Sequence, residues 1–392
     1  MKGVTYPKGF KAAGISCGLK KNGDKDLALI ECEGFAHVAG VFTKNIVKGH
    51  SLKLCKKNIQ NGVARAFIIN SGIANACLAK RGDEDAVKMA NLVAEKLNID
   101  NSEVLIASTG VIGVPLDMKK IEKGIDIACE NLTDNGANAA KAIMTTDTHA
   151  KMVETSFVID GEEVKIGGMA KGSGMIHPDM ATMISVITTD AKITSENLRK
   201  ALKQCVNRTF NKISVDGDTS VCDKVVVMAS GLSGDVNAKK GFGLFVKHLN
   251  IVCEDLSKML AADGEGATKL LTIKVLNAKT KGDAIMVTSA IAKSPLCKTA
   301  AFGNDANWGR LITAAGYSGA SFDPERVDIF IGDLMVCKNG GGLTFDEDKA
   351  LEILKKHEVE YTIDLKSGRY NDTMWTCDLS YDYVKINGEY RT

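Results

Sequence analysis

"KGSGMIHPDMATMISVITTD", residues 171–190, joins a glycine-rich opening to a β-branched, strand-like end. The opening suggests a phosphate-binding loop, which requires a glycine, four residues and then Gly-Lys-Ser/Thr. In "GGMAKGSG" (167–174), Lys171 stands before Gly172 instead of after it, so this motif fails. The other glycine-rich stretch, "GFGLF" (241–245), lacks the third glycine of a dinucleotide loop. The sequence therefore does not favour nucleotide binding.

The end of the same stretch offers a nucleophile. A threonine at the start of a strand is usually only a β-former. Thr182, however, follows Ala181, whose carbonyl is sterically open, and precedes an apolar run that begins at Met183. Pro178 and the flanking glycines allow the backbone to bend at this point. Attack of the Thr182 hydroxyl on the Ala181 carbonyl would give an ester, and hydrolysis of that ester would leave a chain that begins with Thr182.

A chain that begins with threonine carries its own general base. Its α-amine has an ordinary pKa of about 8 and can accept the proton of the threonine hydroxyl. This chemistry requires neither a metal nor a second catalytic residue. The six histidines and eleven cysteines are dispersed, without HExxH, HxH or CxxC groupings, so we expect no metal and no cofactor. His177 and Asp179, beside Pro178, are more simply explained as solvated loop residues than as acid–base groups.

Such a nucleophile needs donors for a tetrahedral oxyanion. "ASTGVIG" (107–113) lies between a strand-like and a helix-like run, where Gly110 lets a backbone N–H approach closely and Thr109 adds a hydroxyl. One donor of this kind is worth on the order of 10²–10³ in rate. The structural alternative is that "STG" is only a strand-to-helix turn. Lys171, embedded among glycines, has little to pack against, and we interpret it as a carboxylate binder.

Composition excludes several classes of function. The chain has 392 residues, of which 45% are hydrophobic and 25% charged, and a net charge of +2, so it lacks the basic excess of a nucleic-acid binder. It has no apolar leader and no apolar run of about 20 residues, so we expect neither secretion nor a membrane span. The scattered cysteines indicate reduced thiols and a cytoplasmic protein.

Strand-like runs alternate with amphipathic helices along the chain. The strand-like runs are 64–70, 103–108, 181–189, 224–230, 270–276 and 326–332, with a strongly alternating strand in the tail, 373–387. The helix-like stretches begin at Asp83 and at Pro115–Asp117 and lie around 198–205, 244–261 and 346–356. A change of composition near 278–284 suggests the start of a second domain. The mixture predicts an α/β or α+β class.

With these residues in view, the chain resembles the ornithine acetyltransferase family, the glutamate N-acetyltransferases of arginine biosynthesis. "KGSGMIHPDMATM" is similar to that family's self-cleavage motif. Further similar segments follow the family's order along essentially the whole chain: "PKGFKAAGISCGLKKNGDKDLALI" (7–30), "AGVFTKN" (39–45), "STGVIG" (108–113), "IMTTDT" (143–148), "SVDGDTS" (214–220), "DGEGATK" (263–269), "GNDANWGR" (303–310) and "YVKINGEYRT" (383–392).

The resemblance implies a layout similar to the N-terminal-nucleophile sandwich, with helices outside paired sheets and a topology of its own, plus a smaller C-terminal α/β region. It implies cleavage between Ala181 and Thr182 into an α chain, 1–181, and a β chain, 182–392, which assemble at least as an α2β2 heterotetramer. The implied catalytic residues are the nucleophile Thr182 and the oxyanion donors Thr109 and Gly110. The implied substrate contacts are Thr148, Lys171, Thr182, Glu265, Asn387 and Thr392.

The implied reaction is acetyl transfer from N²-acetylornithine to glutamate through an acetyl ester on Thr182. Some family members also accept acetyl-CoA, and this sequence does not distinguish the two types. Both amino acids carry an α-carboxylate, which Lys171 suits, and Glu265 suits the ornithine ammonium. Without the resemblance, Glu265 would be interpreted as a surface turn residue.

This chain departs from the family's usual pattern in two segments. In "NSGIANACLA", Ile73 and Leu78 stand where the family usually has Asn and Thr. In "DGDTSVCD", Val221 and Cys222 stand where it usually has Thr and Asn. These changes bear on substrate preference and leave the catalytic positions intact. Two other interpretations stay open: an N-terminal-nucleophile amidohydrolase or aminopeptidase with water as acceptor, and a non-catalytic binding module whose chain stays uncut.

Overall fold

A computed structural model describes residues 1–177 and 183–389. The strands are Phe10–Ile15 (β1), Leu27–Phe42 (β2), Val63–Asn70 (β3), Val104–Ser108 (β4), Lys151–Ile159 (β5), Glu162–Lys171 (β6), Ile184–Thr189 (β7), Ile213–Ser214 (β8), Lys224–Ala229 (β9), Leu270–Ala278 (β10), Asp328–Ile331 (β11), Leu334–Lys338 (β12), Gly341–Gly342 (β13), Glu358–Asp364 (β14) and Tyr370–Cys377 (β15). The α-helices are His50–Asn58 (α1), Ala79–Leu97 (α2), Met118–Glu130 (α3), Ala137–Ala142 (α4), Ser195–Arg208 (α5), Lys239–Ala262 (α6), Lys281–Lys293 (α7), Pro295–Phe302 (α8), Trp308–Gly316 (α9), Glu347–Leu354 (α10) and Tyr381–Glu389 (α11).

The described chain divides into two units, each with its own sheet. The first unit comprises residues 1–211 and 218–260, and the second comprises residues 212–217 and the described chain from Ala261 onward. In the first unit the strand order is β4-β3-β2-β9-β7-β6-β5, with β1 paired to β2. The β3–β4 and β7–β9 pairs are parallel, and the remaining pairs of this sheet are antiparallel.

The sheet of the first unit folds over on itself at β2. The first part of this long strand pairs with β1 and β3, and its last part, residues 37–42, pairs with β9; between Glu31 and Ala36 the register shifts. Strands β4 and β9 lie three places apart, which is roughly 14 Å in a flat sheet. The Lys224 Nζ of β9 nevertheless donates to the Ile106 carbonyl of β4 at 3.0 Å. The two halves of the sheet therefore face each other as layers.

The local signals for α3 are confirmed. Its N-cap is Asp117, whose carboxylate accepts hydrogen bonds from the first-turn backbone. Ile121, Ile125 and Ala128 are fully buried on one side of the helix, as the spacing predicts. The predicted start of α2 at Asp83 is wrong, since that helix begins at Ala79. Asp83 accepts a side-chain hydrogen bond from the neighbouring helix α1 instead.

The predicted strands 64–70, 103–108, 224–230, 270–276 and 326–332 are confirmed as β3, β4, β9, β10 and β11, with ends shifted by up to two residues. The predicted strand 181–189 is present from Ile184, while Ala181 and Thr182 lie outside the described residues. In the tail the strand ends at Cys377 and a helix, α11, follows. The reason is that Asp378 turns back to accept the backbone N–H groups of Thr268 and Lys269, at 2.8 and 3.0 Å.

The second unit contains a smaller mixed sheet in the order β13-β12-β11-β14-β10-β15-β8. Helix α7 packs on β10 and β15, and apolar residues of α7, α8 and α9 share a core with the strands. The segment 278–284 joins β10 to α7, where Thr280 caps the helix. The predicted mixed α/β class, with a smaller C-terminal region, is confirmed; the division into 1–181 and 182–392 stays a prediction. No helix within residues 1–177 and 183–389 is long and apolar enough to cross a membrane.

Asp26 anchors the loop between β1 and β2 in the first unit. Its fully buried carboxylate accepts the backbone N–H groups of Cys17, Leu19 and Lys20 at 2.6–3.1 Å. Its own carbonyl accepts the N–H of Ser71 at 2.8 Å. One side chain thus organises the loop on the N-terminal side of β2.

We predict that Asp26→Ala lowers the stability of the folded chain by about 3 kcal/mol, because three partly buried N–H groups lose their carboxylate acceptor. Denaturation by urea, followed by circular dichroism, measures the change. Asp24→Ala, at an exposed position of the same loop, is the control and should shift the midpoint little. Equal shifts for both variants would contradict the anchoring role.

Candidate active site

The structure brings some of the predicted site residues together within each unit. The first unit contains Thr109, Gly110, Thr148 and Lys171, and the second contains Glu265 and Asn387. The predicted cleavage residues Ala181 and Thr182, and the predicted contact Thr392, lie outside the described residues.

The fold of the first sheet brings Lys171 to Thr109. Lys171 ends β6 and Thr109 follows β4, strands five places apart and so roughly 24 Å apart in a flat sheet. Because the sheet folds over, Lys171 Nζ lies 3.5 Å from Thr109 Oγ1. Both residues are at least nine-tenths buried. A lysine ammonium and a threonine hydroxyl that are 62 residues apart in the sequence are therefore in contact.

The loop that carries Thr109 has a constrained backbone. The Thr109 N–H donates to the Asn70 carbonyl at 3.0 Å, so the group that Thr109 can still offer to a ligand is its hydroxyl. Gly110 has a φ of +128°, and a Cβ at this position would lie 2.2 Å from the carbonyl carbon of Gly72. Only glycine fits there. The pairing of a Thr109 hydroxyl with a Gly110 backbone N–H as oxyanion donors stays a prediction.

A buried anion lies beside Lys171, and the sequence reasoning missed it. Asp147 Oδ1 accepts from Lys151 Nζ at 2.7 Å and from the Gly172 N–H at 2.6 Å, while Oδ2 accepts from the Thr145 N–H. Burial tends to raise the pKa of the Asp147 carboxyl, but the charges of Lys171 and Lys151 outweigh burial and hold it below its ordinary value. Asp147 is therefore ionised. The adjacent Thr148 side chain is exposed and lies 3.0 Å from His149 Nδ1.

The pKa of a second carboxyl near Lys171 is shifted in the opposite direction. Burial raises the pKa of Asp223 well above its ordinary value, although Ser220 hydrogen bonds and the Lys171 and Lys224 charges oppose this. Within the described part of the chain, Asp223 Oδ2 has no hydrogen-bond partner. The Lys171 charge thus acts on two buried carboxyls whose pKa values are shifted in opposite directions. The sequence signal for both acids was their place in two segments, 143–148 and 216–223, that resemble the family.

The start of β7 lies between two lysines of neighbouring strands. Ile184 pairs with Lys171 of β6 on one side and with Lys224 of β9 on the other, so the three side chains share one face of the sheet. Burial lowers the pKa of Lys224. The Met183 carbonyl accepts the Lys224 N–H at 2.9 Å. Met183, the residue bonded to Thr182 in the chain, is therefore fixed beside the Lys171 and Asp223 region.

In the second unit, Glu265 and Asn387 are hydrogen-bonded to each other. Asn387 Nδ2 donates to Glu265 Oε2 at 2.8 Å and to the Tyr383 carbonyl at 3.0 Å. Glu265 is 9% exposed, which argues against its interpretation as a surface turn residue. The two substrate contacts predicted for this unit thus form one polar pair.

The residues that depart from the family's usual pattern lie close to the Thr109 loop. Ile73 forms isolated bridges with Thr109 and Val111. Val221 and Cys222 form a small buried cluster with alanines of the 71–78 segment. This packing explains how the apolar side chains of Val221 and Cys222 are accepted there. Among the described residues, no group of three or more His, Cys, Asp or Glu side chains is placed to hold a metal ion.

Comparisons with known proteins agree on one family. A model described as the ArgJ family matches residues 11–392. The chain is 50% identical to the arginine biosynthesis bifunctional protein ArgJ of Caldanaerobacter subterraneus subsp. tengcongensis, over 99% of this chain and 98% of that one. It is 47% identical to the glutamate N-acetyltransferase of Methanocaldococcus jannaschii, over 100% and 98%. A crystal structure of the arginine biosynthesis bifunctional protein ArgJ from Bacillus halodurans matches with 45% identity and a TM-score of 0.52, covering 53% of this chain and 100% of that chain.

We predict that Asp147→Asn costs about 3–5 kcal/mol of stability at neutral pH, because Lys151 is left buried without its counter-charge. The ionised form is favoured in the folded state, so the contribution of Asp147 is present above its ordinary pKa of 3.8 and is lost as the pH falls below that value. The difference between wild type and variant should therefore shrink below about pH 4. Urea midpoints between pH 3 and pH 7 measure it.

Asp126→Asn serves as the control for this prediction. Asp126 pairs with Lys96 on the surface, where both side chains are about half exposed, and such pairs are worth roughly 0–1 kcal/mol. A cost for Asp147→Asn as small as that of Asp126→Asn would show that Asp147 is not a structural counter-charge.

Proposed function

The chain belongs to the ArgJ family and is an acyltransferase of arginine biosynthesis, and we propose that it transfers an acetyl group from N²-acetylornithine to glutamate. The observation that carries this proposal is the approach of Lys171 Nζ to within 3.5 Å of Thr109 Oγ1, beside Gly110. In this proposal Lys171 is the cation for a carboxylate, and Thr109 and Gly110 are the two oxyanion donors, beside the strand that follows Thr182. Such a combination suits acetyl transfer between two amino acids.

We propose Thr182 as the nucleophile and as the first residue of a β chain made by self-cleavage after Ala181. The match to the Bacillus halodurans chain supports a cut near the middle: that chain is covered completely, yet it spans 53% of this one. Residues 182–392 make up about 54% of the 392-residue sequence. A product of this cleavage has the length of the solved chain.

The proposed reaction has two steps. The Thr182 Oγ attacks the acetyl carbonyl, the α-amine accepts the hydroxyl proton and passes it to the leaving nitrogen, and ornithine departs as the C–N bond breaks. The glutamate amine then attacks the ester, a new amide bond forms, and the proton returns to Thr182 Oγ. The Thr109 hydroxyl and the Gly110 N–H stabilise the oxyanion in both steps. One amide replaces another, so no energy source is required.

Charge explains the choice of substrates. Both amino acids have an α-carboxylate, for which Lys171 is the partner, since Asp147 already has its counter-charge in Lys151. Glu265 is the partner that we propose for the ornithine ammonium, and Asn387 holds its carboxylate. Thr148 and Thr392 complete the proposed contacts. Acetyl-CoA-dependent N-acetylglutamate synthesis would use the same acetyl-enzyme and the same acceptor, so we propose this site for it as well.

We further propose that the two chains assemble as an α2β2 heterotetramer in the cytoplasm. The cytoplasmic location is supported by the state of the cysteines. All eleven lie within the described residues and all are free thiols.

We predict that Thr182→Ala yields one uncleaved chain of about 41.8 kDa, because the hydroxyl that attacks the Ala181 carbonyl is gone. Wild type should give two fragments and, after addition of N²-acetylornithine, an acetyl adduct on the β chain. Intact-mass spectrometry measures both. Thr182→Ser keeps a hydroxyl and should still cleave.

Two outcomes would contradict this assignment. Two fragments from Thr182→Ala would show that another residue is the nucleophile. Acetate release by wild type without glutamate, at the rate of glutamate-dependent ornithine release, would show a hydrolase instead of a transferase.

We predict that Glu265→Gln lowers kcat/KM for N²-acetylornithine by about 10–100-fold and changes kcat/KM for glutamate by less than about threefold. Glutamine keeps an oxygen for Asn387 and removes only the charge. In a ping-pong mechanism each kcat/KM reports its own half-reaction, so the two effects separate. Lys171→Met is the contrasting variant and should lower both values, since both substrates share the α-carboxylate. Equal losses in Glu265→Gln would contradict recognition of the ammonium.

A further inference from the structure

The Thr109 loop, residues 109–113, is held by one neighbouring segment. We call residues 72–78 the clamp segment. Three backbone hydrogen bonds of 2.9–3.1 Å join the two: Val111 N–H to the Gly72 carbonyl, Ala74 N–H to the Val111 carbonyl, and Gly113 N–H to the Ala76 carbonyl. These bonds hold the residues that follow Gly110, and Ile73 of the clamp segment forms a bridge with Thr109, which precedes it. The direction of the Gly110 N–H therefore depends on where the clamp segment lies.

The backbone of the clamp segment has an unfavourable conformation at several residues. Asn75 and Cys77 have φ values of +48° and +61°, and Ala79, which follows the segment, has +49°. A residue with a side chain is sterically disfavoured in this left-handed region. Such a conformation persists only when the surroundings impose it. The contacts around the clamp segment therefore determine its position.

His50, at the start of α1, supplies two of these contacts. Its Nε2 accepts the Leu78 N–H at 3.2 Å, and its backbone N–H donates to the Asn75 carbonyl at 2.9 Å. Its Nδ1 lies 2.6 Å from Asp83 Oδ1. Since Nε2 is an acceptor, the ring proton is on Nδ1 and is donated to Asp83.

The ring of His50 is closely fitted to its surroundings. His50 is 5% exposed. It packs against Gly82 of α2, where a Cβ would lie 2.1 Å from the ring Cδ2. The imidazole therefore has one orientation, with Nε2 directed at the clamp segment.

Ser51 connects helix α1 to the Thr109 loop through a second set of hydrogen bonds. Asn75 Nδ2 donates to the Gly82 carbonyl at 3.0 Å and to Ser51 Oγ at 3.3 Å. Ser51 Oγ in turn lies 2.6 Å from Ser108 Oγ, and all of these side chains are buried. Ser108 directly precedes Thr109. The N-terminus of α1 thus reaches the Thr109 loop by two routes, one through Leu78 and one through Ser108.

We propose that His50 is a positioning residue for acetyl transfer: by accepting the Leu78 N–H it fixes the clamp segment, and through it the Gly110 donor. The inference rests on the proposed function, in which the Thr109 loop stabilises the oxyanion. We assign His50 no direct contact with the substrate. Its contribution is therefore made in the transition state, through Gly110.

Two isosteric substitutions separate the two hydrogen bonds of the ring. Glutamine places an oxygen near the position of Nε2 and can still accept the Leu78 N–H, whereas asparagine places an N–H near Nδ1 and keeps only the Asp83 bond. His50→Asn should lower kcat by about 10–100-fold with KM within about threefold of wild type, because a misplaced donor weakens the transition state alone. His50→Gln should restore most of kcat.

Further variants and measurements keep the test decisive. Asp83→Asn should leave kcat within about threefold, since the Asp83 bond faces away from the clamp segment. Thermal unfolding and intact mass confirm that each variant is folded and cleaved. If His50→Asn does not fold, His50→Leu decides, since leucine cannot accept the Leu78 N–H; a fall in kcat at unchanged KM is expected.

Equal kcat values for His50→Asn and His50→Gln, or a rise in KM with unchanged kcat, would overturn the positioning role. Unchanged kcat in His50→Leu, where that variant decides, would do the same. A failure of the proposed function is distinguishable, because wild type itself would then show no transfer from N²-acetylornithine to glutamate.

Discussion

The approach of Lys171 to Thr109 depends on one constraint, the folding of the first sheet at β2. A flat sheet would hold β4 and β6 roughly 24 Å apart, whatever side chains they carried. The register shift between Glu31 and Ala36 lets β2 serve both halves of the sheet. The hydrogen bond from Lys224 to the Ile106 carbonyl then joins the two layers directly below the site. The site therefore exists because one strand changes partners along its length.

Charge in this folded sheet is distributed unevenly. The charges of Lys171 and Lys151 hold the pKa of Asp147 below its ordinary value, whereas burial raises the pKa of Asp223 well above its own. Lys171 therefore acts on two buried carboxyls whose pKa values are shifted in opposite directions. Pairs of titratable groups pushed apart in this way are typical of catalytic sites.

The sequence predicted local structure well where a single residue decides it. Asp117 caps α3 as expected, and the β-branched runs are strands. It failed where a distant partner competes: Asp83 binds His50 instead of starting α2, and Asp378 ends β15 by binding the Thr268–Lys269 backbone. The 3.5 Å contact between Thr109 and Lys171 could not be predicted from the sequence, since it depends on how the whole sheet folds. The resemblance to a family pointed to both residues; their proximity comes from the topology.

The clamp segment is connected to its neighbours mainly through peptide groups. Its hydrogen bonds to the Thr109 loop and to His50 are made by the backbone at positions 72, 74, 75, 76 and 78, and the side chains at 73 and 78 take no part in them. Substitutions at positions 73 and 78 therefore leave the contacts with the Thr109 loop in place, provided that the new residues tolerate the backbone angles. The side chains at these two positions can change the surroundings of the loop while its backbone contacts stay the same.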